Sequence, residues 1–170
     1  MDLIVRQGED GWSASWGDAR FRCAIGRNGA VSALAKREGD GGTPLGAWPM
    51  TELFWRIDRV TLPSTALPAS PIAPDHGWCD APLEAAYNSL IVRPCTASHE
   101  TLWRADELYD LLVVLDHNRN PAVPFAGSAI FLHCAKPGYP PTAGCIALAR
   151  PDLEQVLAQA RPGDRVVVRG

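Results

Sequence analysis

Short apolar runs, each broken by glycine, proline or a charge, dominate this chain. Leu111 to Leu115 is a continuous apolar run of strand length, which predicts a central strand covered on both faces. Ser128 to Leu132 and Ile146 to Leu148 are shorter runs of the same kind. Asp2 to Arg6 alternates weakly and predicts a first strand. Trp12 to Arg20 and Arg20 to Ile25 predict two more around a Gly17-Asp18 turn, and Gly26 to Gly29 reads as a second hairpin turn. Met50 to Thr61 predicts a strand bearing Phe54 and Trp55, and Arg165 to Arg169 a closing strand. Leu62 to Pro74 is too rich in proline and serine for regular structure, and Asn118 to Pro124 reads as a turn. Helical spacing occurs twice. Pro151 and Asp152 open a segment whose Leu153, Val156, Leu157 and Ala160 share one face, stopped by Arg161 to Asp164. A weaker helical period runs over Thr101 to Tyr109, at Leu102, Ala105, Leu108 and Tyr109. The pattern predicts a mainly β fold with short helices.

Length and composition narrow this to one ordinary globular domain. The chain has 170 residues, 46% of them hydrophobic and 21% charged, enough for a packed core. Its net charge of −3 counts against nucleic-acid binding, which needs a basic footprint. No run approaches the roughly 18 apolar residues of a membrane span. Met1 to Arg6 lacks the basic-then-apolar build of a signal peptide. The five cysteines, Cys23, Cys79, Cys95, Cys134 and Cys145, show no paired spacing and do not read as a disulfide framework. The expected location is cytoplasmic, or periplasmic if a leader has been removed.

The chemistry concentrates between Gly127 and Leu148. The first apolar run delivers His133. Lys136-Pro137-Gly138-Tyr139-Pro140-Pro141 must then be loop, because three prolines and a glycine forbid regular pairing. The chain returns through Thr142-Ala143-Gly144-Cys145 into the second run. A histidine and a cysteine thus end two short strands joined by a stiff loop. An imidazole beside a thiol can take its proton and make it a nucleophile. Gly144 allows a tight turn, and backbone N–H groups at Gly144 and Cys145 are candidates for an oxyanion hole. A rival zinc site from His133, Cys134 and Cys145 is disfavoured, since adjacent strand residues point to opposite faces. His76, His99 and His117 lack partners at metal-ligand spacing and read as surface or locally bonded residues. No metal or other cofactor is expected. Lys36 to Pro49, KREGDGGTPLGAWP, reads as a rigid exposed loop. It lacks the Lys-Ser/Thr ending of a phosphate loop, which excludes nucleotide binding of that kind.

His133, Thr142, Gly144, Cys145 and Ile146 together resemble the active-site signature of the L,D-transpeptidase catalytic domain, the YkuD-like family. Three other stretches resemble it too: FRCAIGRNGAV, the K-x-x-G-D-G-x-T-P-x-G segment from Lys36 to Gly46, and Trp78-x-Asp80-x-Pro82 followed by Tyr87-Asn88. Two departures stand out: Ala143 replaces a common second histidine, and Ala147 a common arginine. The resemblance implies a β-sandwich-like mixed sheet with a short helix, in a single domain. It implies acyl transfer on peptidoglycan stem peptides at the bond between a diamino acid and terminal D-Ala. Cys145 is then the nucleophile and His133 the base, then acid. The backbone carbonyl of Cys134 orients the ring, and carbapenems are expected to acylate the cysteine. The Lys36 to Gly46 segment supports the site. Asp80, Tyr87 and Thr142 are expected to line the substrate groove. With Ala147 in the arginine's place, Arg150 is the first candidate for the substrate carboxylate and Lys136 the second. Three outcomes remain: hydrolysis by an L,D-carboxypeptidase, which the sequence favours, transfer to an amine by a transpeptidase, or a non-catalytic peptidoglycan-binding domain.

Overall fold

A computed structural model describes all residues 1–170. In chain order the strands are β1 (Asp2–Gly8), β2 (Gly11–Trp16), β3 (Ala19–Ala24), β4 (Ala30–Val31), β5 (Thr43–Pro44), β6 (Gly46–Trp55) and β7 (Ala69–Pro71). They continue with β8 (His76–Cys79), β9 (Leu90–Val92), β10 (His99–Thr101), β11 (Leu111–Leu115), β12 (Phe131–Cys134) and β13 (Ile146–Leu148). One helix, α1 (Arg150–Leu157), precedes β14 (Arg165–Arg169). The main sheet runs β11-β12-β13-β3-β2-β1-β14-β6-β7, and β11 also pairs with β6. That last pairing closes the sheet into a barrel, with β7 attached outside the closed set. Closure turns on β6: Gly46 to Pro49 pair with β14, and Met50 to Trp55 pair with β11. A small sheet of β10, β8 and β9 packs beside the barrel. No helix is long and apolar enough to cross a membrane.

The continuous apolar runs are explained by two cores, one on each side of the same wall. Leu111, Val113 and Leu115 face the larger core, and Leu112 and Val114 face a smaller one with Phe54, Trp78 and Phe131. A strand buried on both faces has no polar side to show, so its sequence does not alternate. The parity extends to β12, where Leu132 and Cys134 join the larger core. Phe131 then faces the smaller one, and His133 shares its side. Cys145 belongs to the smaller cluster as well. The larger core also takes Leu153, Val156 and Leu157 of α1, the face predicted from spacing.

Several expected elements are corrected. Thr101 to Tyr109 is not a helix: β10 ends at Thr101 and turns follow. Arg56 and Arg59 explain this, because their guanidinium groups donate to the carbonyls of Arg104, Ala105 and Asp106 at 2.6–2.9 Å. Those carbonyls would otherwise accept helical N–H groups. The Lys36 to Pro49 stretch is not simply an exposed loop. Lys36 and Gly41 to Pro44 are buried, β5 pairs with β4, and β6 begins at Gly46 rather than Met50. His117 is buried rather than superficial, edge-on against Trp48 at 4.7 Å. The run before His133 becomes strand only at Phe131.

Candidate active site

β12 and β13 pair in parallel, with His133 opposite Ala147, so the strand carrying His133 lies beside the turn carrying Cys145. The two side chains line one cavity of about 520 Å³. Its floor and rim come from Ser128 to Ile130 and Pro140 to Ala143.

The turn from Thr142 to Cys145 is held from three sides. Thr142 Oγ1 accepts from the Gly144 N–H at 3.1 Å and donates to the Cys145 carbonyl at 2.7 Å. Thr43 Oγ1 accepts from the Gly26 N–H and donates to the Gly144 carbonyl, both at 2.8 Å. Gly144 itself lies at φ +143°, and a Cβ there would stand 3.0 Å from the Gly42 carbonyl oxygen, so glycine is required. Behind Thr43, the Asp40 carboxylate accepts from Lys36 Nζ and from the Arg37 and Gly42 N–H groups. The 36–46 segment therefore supports the site, as expected from the sequence. The third side is Asn88: its Oδ1 accepts from the Ala129 N–H at 3.0 Å, and the Cys145 thiol donates to the Ala129 carbonyl at 3.1 Å.

His133 Nδ1 lies 2.9 Å from the Cys134 carbonyl oxygen. A carbonyl only accepts, so Nδ1 carries the proton and Nε2 is left with the lone pair, the form a general base needs. This is the role anticipated for that backbone carbonyl. Tyr109 packs edge-on against the imidazole at 5.4 Å and donates to Glu100. Burial lowers the His133 pKa to about 4, opposed by the bond to Cys134. Burial also pushes the Cys145 thiol up to about 12. Both shifts favour the uncharged forms, thiol and neutral imidazole.

The burial of His133 also predicts acid sensitivity. Its folded pKa lies below the unfolded value of 6.5, so between about pH 6.5 and 4 the unfolded chain binds more protons. Stability is full above 6.5 and is lost as pH falls through that window, by roughly 3 kcal/mol from this group. His117, also lowered chiefly by burial, acts in the same direction. Urea titrations at pH 7 and pH 4.5 measure this, and His133→Gln should flatten the difference.

The remaining anticipated residues divide. Asp80, Lys136 and Thr142 line the cavity. Tyr87 does not: it is buried, donates to Glu38 and accepts from the Gly127 N–H at 3.1 Å, so it braces the wall from behind. Arg150 is also outside. It pairs with the buried Asp110 at 3.3 Å on the far side of β12 and lines other cavities. Asp110 and Arg150 both lie near the Cys134 thiol, which belongs to the larger core. Lys136, the second candidate, does line the cavity, and so does Arg104, a cation not anticipated from the sequence. Arg104 lines the cavity and donates from Nε and Nη2 to Asp106 at 2.7 and 2.8 Å, leaving Nη1 uncommitted. The Gly144 N–H, expected at an oxyanion hole, donates to Thr142 Oγ1 at 3.1 Å. Arg104→Ala should lower kcat/KM by about 10- to 100-fold through loss of a charge-assisted bond to a substrate carboxylate. Arg150→Ala should stay within about twofold, because Asp110 keeps Arg59 at 3.3 Å. Steady-state kinetics on the two variants decide between the cations.

A buried cysteine and a histidine whose tautomer is fixed by a backbone carbonyl thus share one charged cavity. The family model for the L,D-transpeptidase catalytic domain, YkuD, matches residues 7–168, and the chain belongs to that family. Members are cysteine-dependent enzymes acting on peptidoglycan. No curated protein and no solved structure matches the chain.

Proposed function

We propose that the protein cleaves the bond between a diamino acid and terminal D-Ala in tetrapeptide stems, through a Cys145 thioester, with water as the preferred acceptor. The observation that carries the first half is the shared cavity of Cys145 and a His133 whose Nε2 is the free nitrogen. Sγ attacks the scissile carbonyl carbon while Nε2 takes the thiol proton. The oxyanion points at the Cys145 N–H. The C–N bond breaks, the imidazolium returns the proton to the departing D-Ala amine, and a thioester remains. Water then attacks as Nε2 takes its proton, and the thiol leaves with that proton restored. The product is a tripeptide.

The preference for water has a separate support. A transpeptidase needs a second groove that holds an acceptor amine in line with the thioester. The 62–82 segment is the stretch of the chain best able to build one, and it brings only Asp80 to the cavity. Thr61 to Ser64 instead line a separate hollow with Arg150 and Glu154.

Incubating disaccharide tetrapeptide with the enzyme and excess D-Met tests this by mass spectrometry. Tripeptide with free D-Ala is the expected product. Predominant D-Met exchange or 3→3 dimer would make the protein a transpeptidase, and binding without turnover would make it a non-catalytic peptidoglycan-binding domain.

A further inference from the structure

The charges around this cavity are not balanced against each other. Among its four cations, Lys36 is paired with Asp40 at 2.5 Å, Arg104 and Lys136 both pair with Asp106, at 2.7 and 3.5 Å, and Arg27 forms no ion pair. Neither Asp40 nor Asp106 lines the cavity. Its carboxylates, Glu38, Asp80 and Glu100, form no ion pair. Glu38 and Glu100 have only the neutral hydroxyls of Tyr87 and Tyr109. Asp80 Oδ1 is buried with no hydrogen-bond partner at all. Ser128, 7% exposed, lines the same cavity; its Oγ lies near the Tyr87 hydroxyl but makes no hydrogen bond of normal geometry. Buried polar atoms are ordinarily satisfied, and both orphans belong to residues in the wall of this one cavity.

We propose that Asp80, Glu100 and Ser128 receive the side-chain ammonium of the donor stem's third residue and make a free amine there a requirement. The inference rests on the reading of this cavity as the stem-peptide site. An ammonium carries three donors and one positive charge, which suits two carboxylates and a hydroxyl. It also relieves a repulsion. Burial and the neighbouring Asp80 and Glu38 raise the Glu100 pKa, against the Tyr109 hydrogen bond and the charge of Arg104. An acceptor amine is the poorer occupant, because it must lose its proton to react and carboxylates hold it protonated.

Binding separates this inference from the reaction. The Cys145→Ala protein is titrated calorimetrically with synthetic tetrapeptide stems carrying lysine or diaminopimelate at the third position. Each is supplied with the side-chain amine free and N-acetylated. The free-amine stem should bind tighter by about 10- to 100-fold in at least one pair. Asp80→Asn or Glu100→Gln, added to Cys145→Ala, should bring the ratio of the two affinities towards one. Because the free and acetylated ligands are first compared on the same protein, a variant that misfolds does not remove the test. Equal affinities for the two members of both pairs, or no binding, overturn the inference. Turnover by the wild-type protein is measured in parallel: amine-dependent binding without turnover supports the ammonium site and sinks hydrolysis. Turnover with equal affinities does the reverse.

Discussion

Replacing Cys145 with alanine is expected to lower kcat/KM by at least about 10⁴-fold while the protein stays folded. Removing a catalytic nucleophile typically costs on the order of 10⁶ in rate, and general positioning supplies the remainder. The fold should tolerate the change. Cys145 contributes a small side chain to the lesser core, and its thiol makes one weak bond, to the Ala129 carbonyl at 3.1 Å. A loss of about 1 kcal/mol is the expected scale. Tripeptide release, followed by chromatography, and thermal unfolding, followed by circular dichroism, measure the two halves. A folded variant with more than a tenth of wild-type activity would place the nucleophile elsewhere. The nearest thiol in sequence to His133, Cys134, cannot substitute, because it points into the larger core and its thiol lies towards the Leu111 carbonyl. A carbapenem gives an independent readout, since its ring carbonyl stands in for the scissile one. Intact-mass analysis and peptide mapping should find the adduct on Cys145, and an adduct on another cysteine would count against the assignment.

What could be read from the sequence was what is carried by neighbours in the chain. Leu111 to Leu115 read as a central strand because burial on both faces leaves no polar position. Strand parity puts His133 and Cys134 on opposite sides of β12, and the structure agrees: Cys134 joins the larger core while His133 packs on Tyr109 of the smaller one. The helix after Pro151 followed from an ordinary start signal and a four-residue apolar face. What failed was carried by distant partners. Leu102, Ala105, Leu108 and Tyr109 have helical spacing, yet Arg56 and Arg59, some 46–48 positions earlier, capture the carbonyls that a helix needs. Within that segment, Arg104 and Tyr109 line the cavity. Arg150 looked well placed because it follows the strand of Cys145 closely, but its partner Asp110 lies on the other side of the wall. The Lys36 to Pro49 stretch looked exposed from its glycines. Those glycines in fact permit close packing: a Cβ on Gly42 would stand 2.6 Å from Val31 Cγ1, and one on Gly46 2.6 Å from Trp48 Cζ2.

The pH dependence of catalysis should carry the signature of a neutral pair. In a preformed thiolate–imidazolium pair, the thiol pKa is depressed and the histidine stays protonated into the neutral range. Here burial acts the other way on both groups, lowering His133 to about 4 and raising Cys145 to about 12. Catalysis then requires only that Nε2 be free of a proton. It should be lost as pH falls through about 4, with no descending limb up to pH 10 from the thiol. The expected kcat/KM profile is an acid limb near pH 4 and a broad plateau. The folded fraction is checked by circular dichroism at each pH, since the same histidine weakens the fold in acid. Alkylation by neutral iodoacetamide gives a second view: the resting thiol should react slowly at pH 7 and faster as pH rises. His133→Gln should reduce kcat/KM by about 10³-fold or more, because a positioned base typically contributes 10²- to 10⁴-fold. The variant's residual rate should follow hydroxide or thiolate concentration rather than the wild-type plateau. An acid limb near the ordinary histidine value of 6.5, or rapid pH-independent alkylation from pH 5 upward, would show that the pair is ionised at rest. The proton transfer assigned to His133 Nε2 in the first step would then already be complete before substrate arrives.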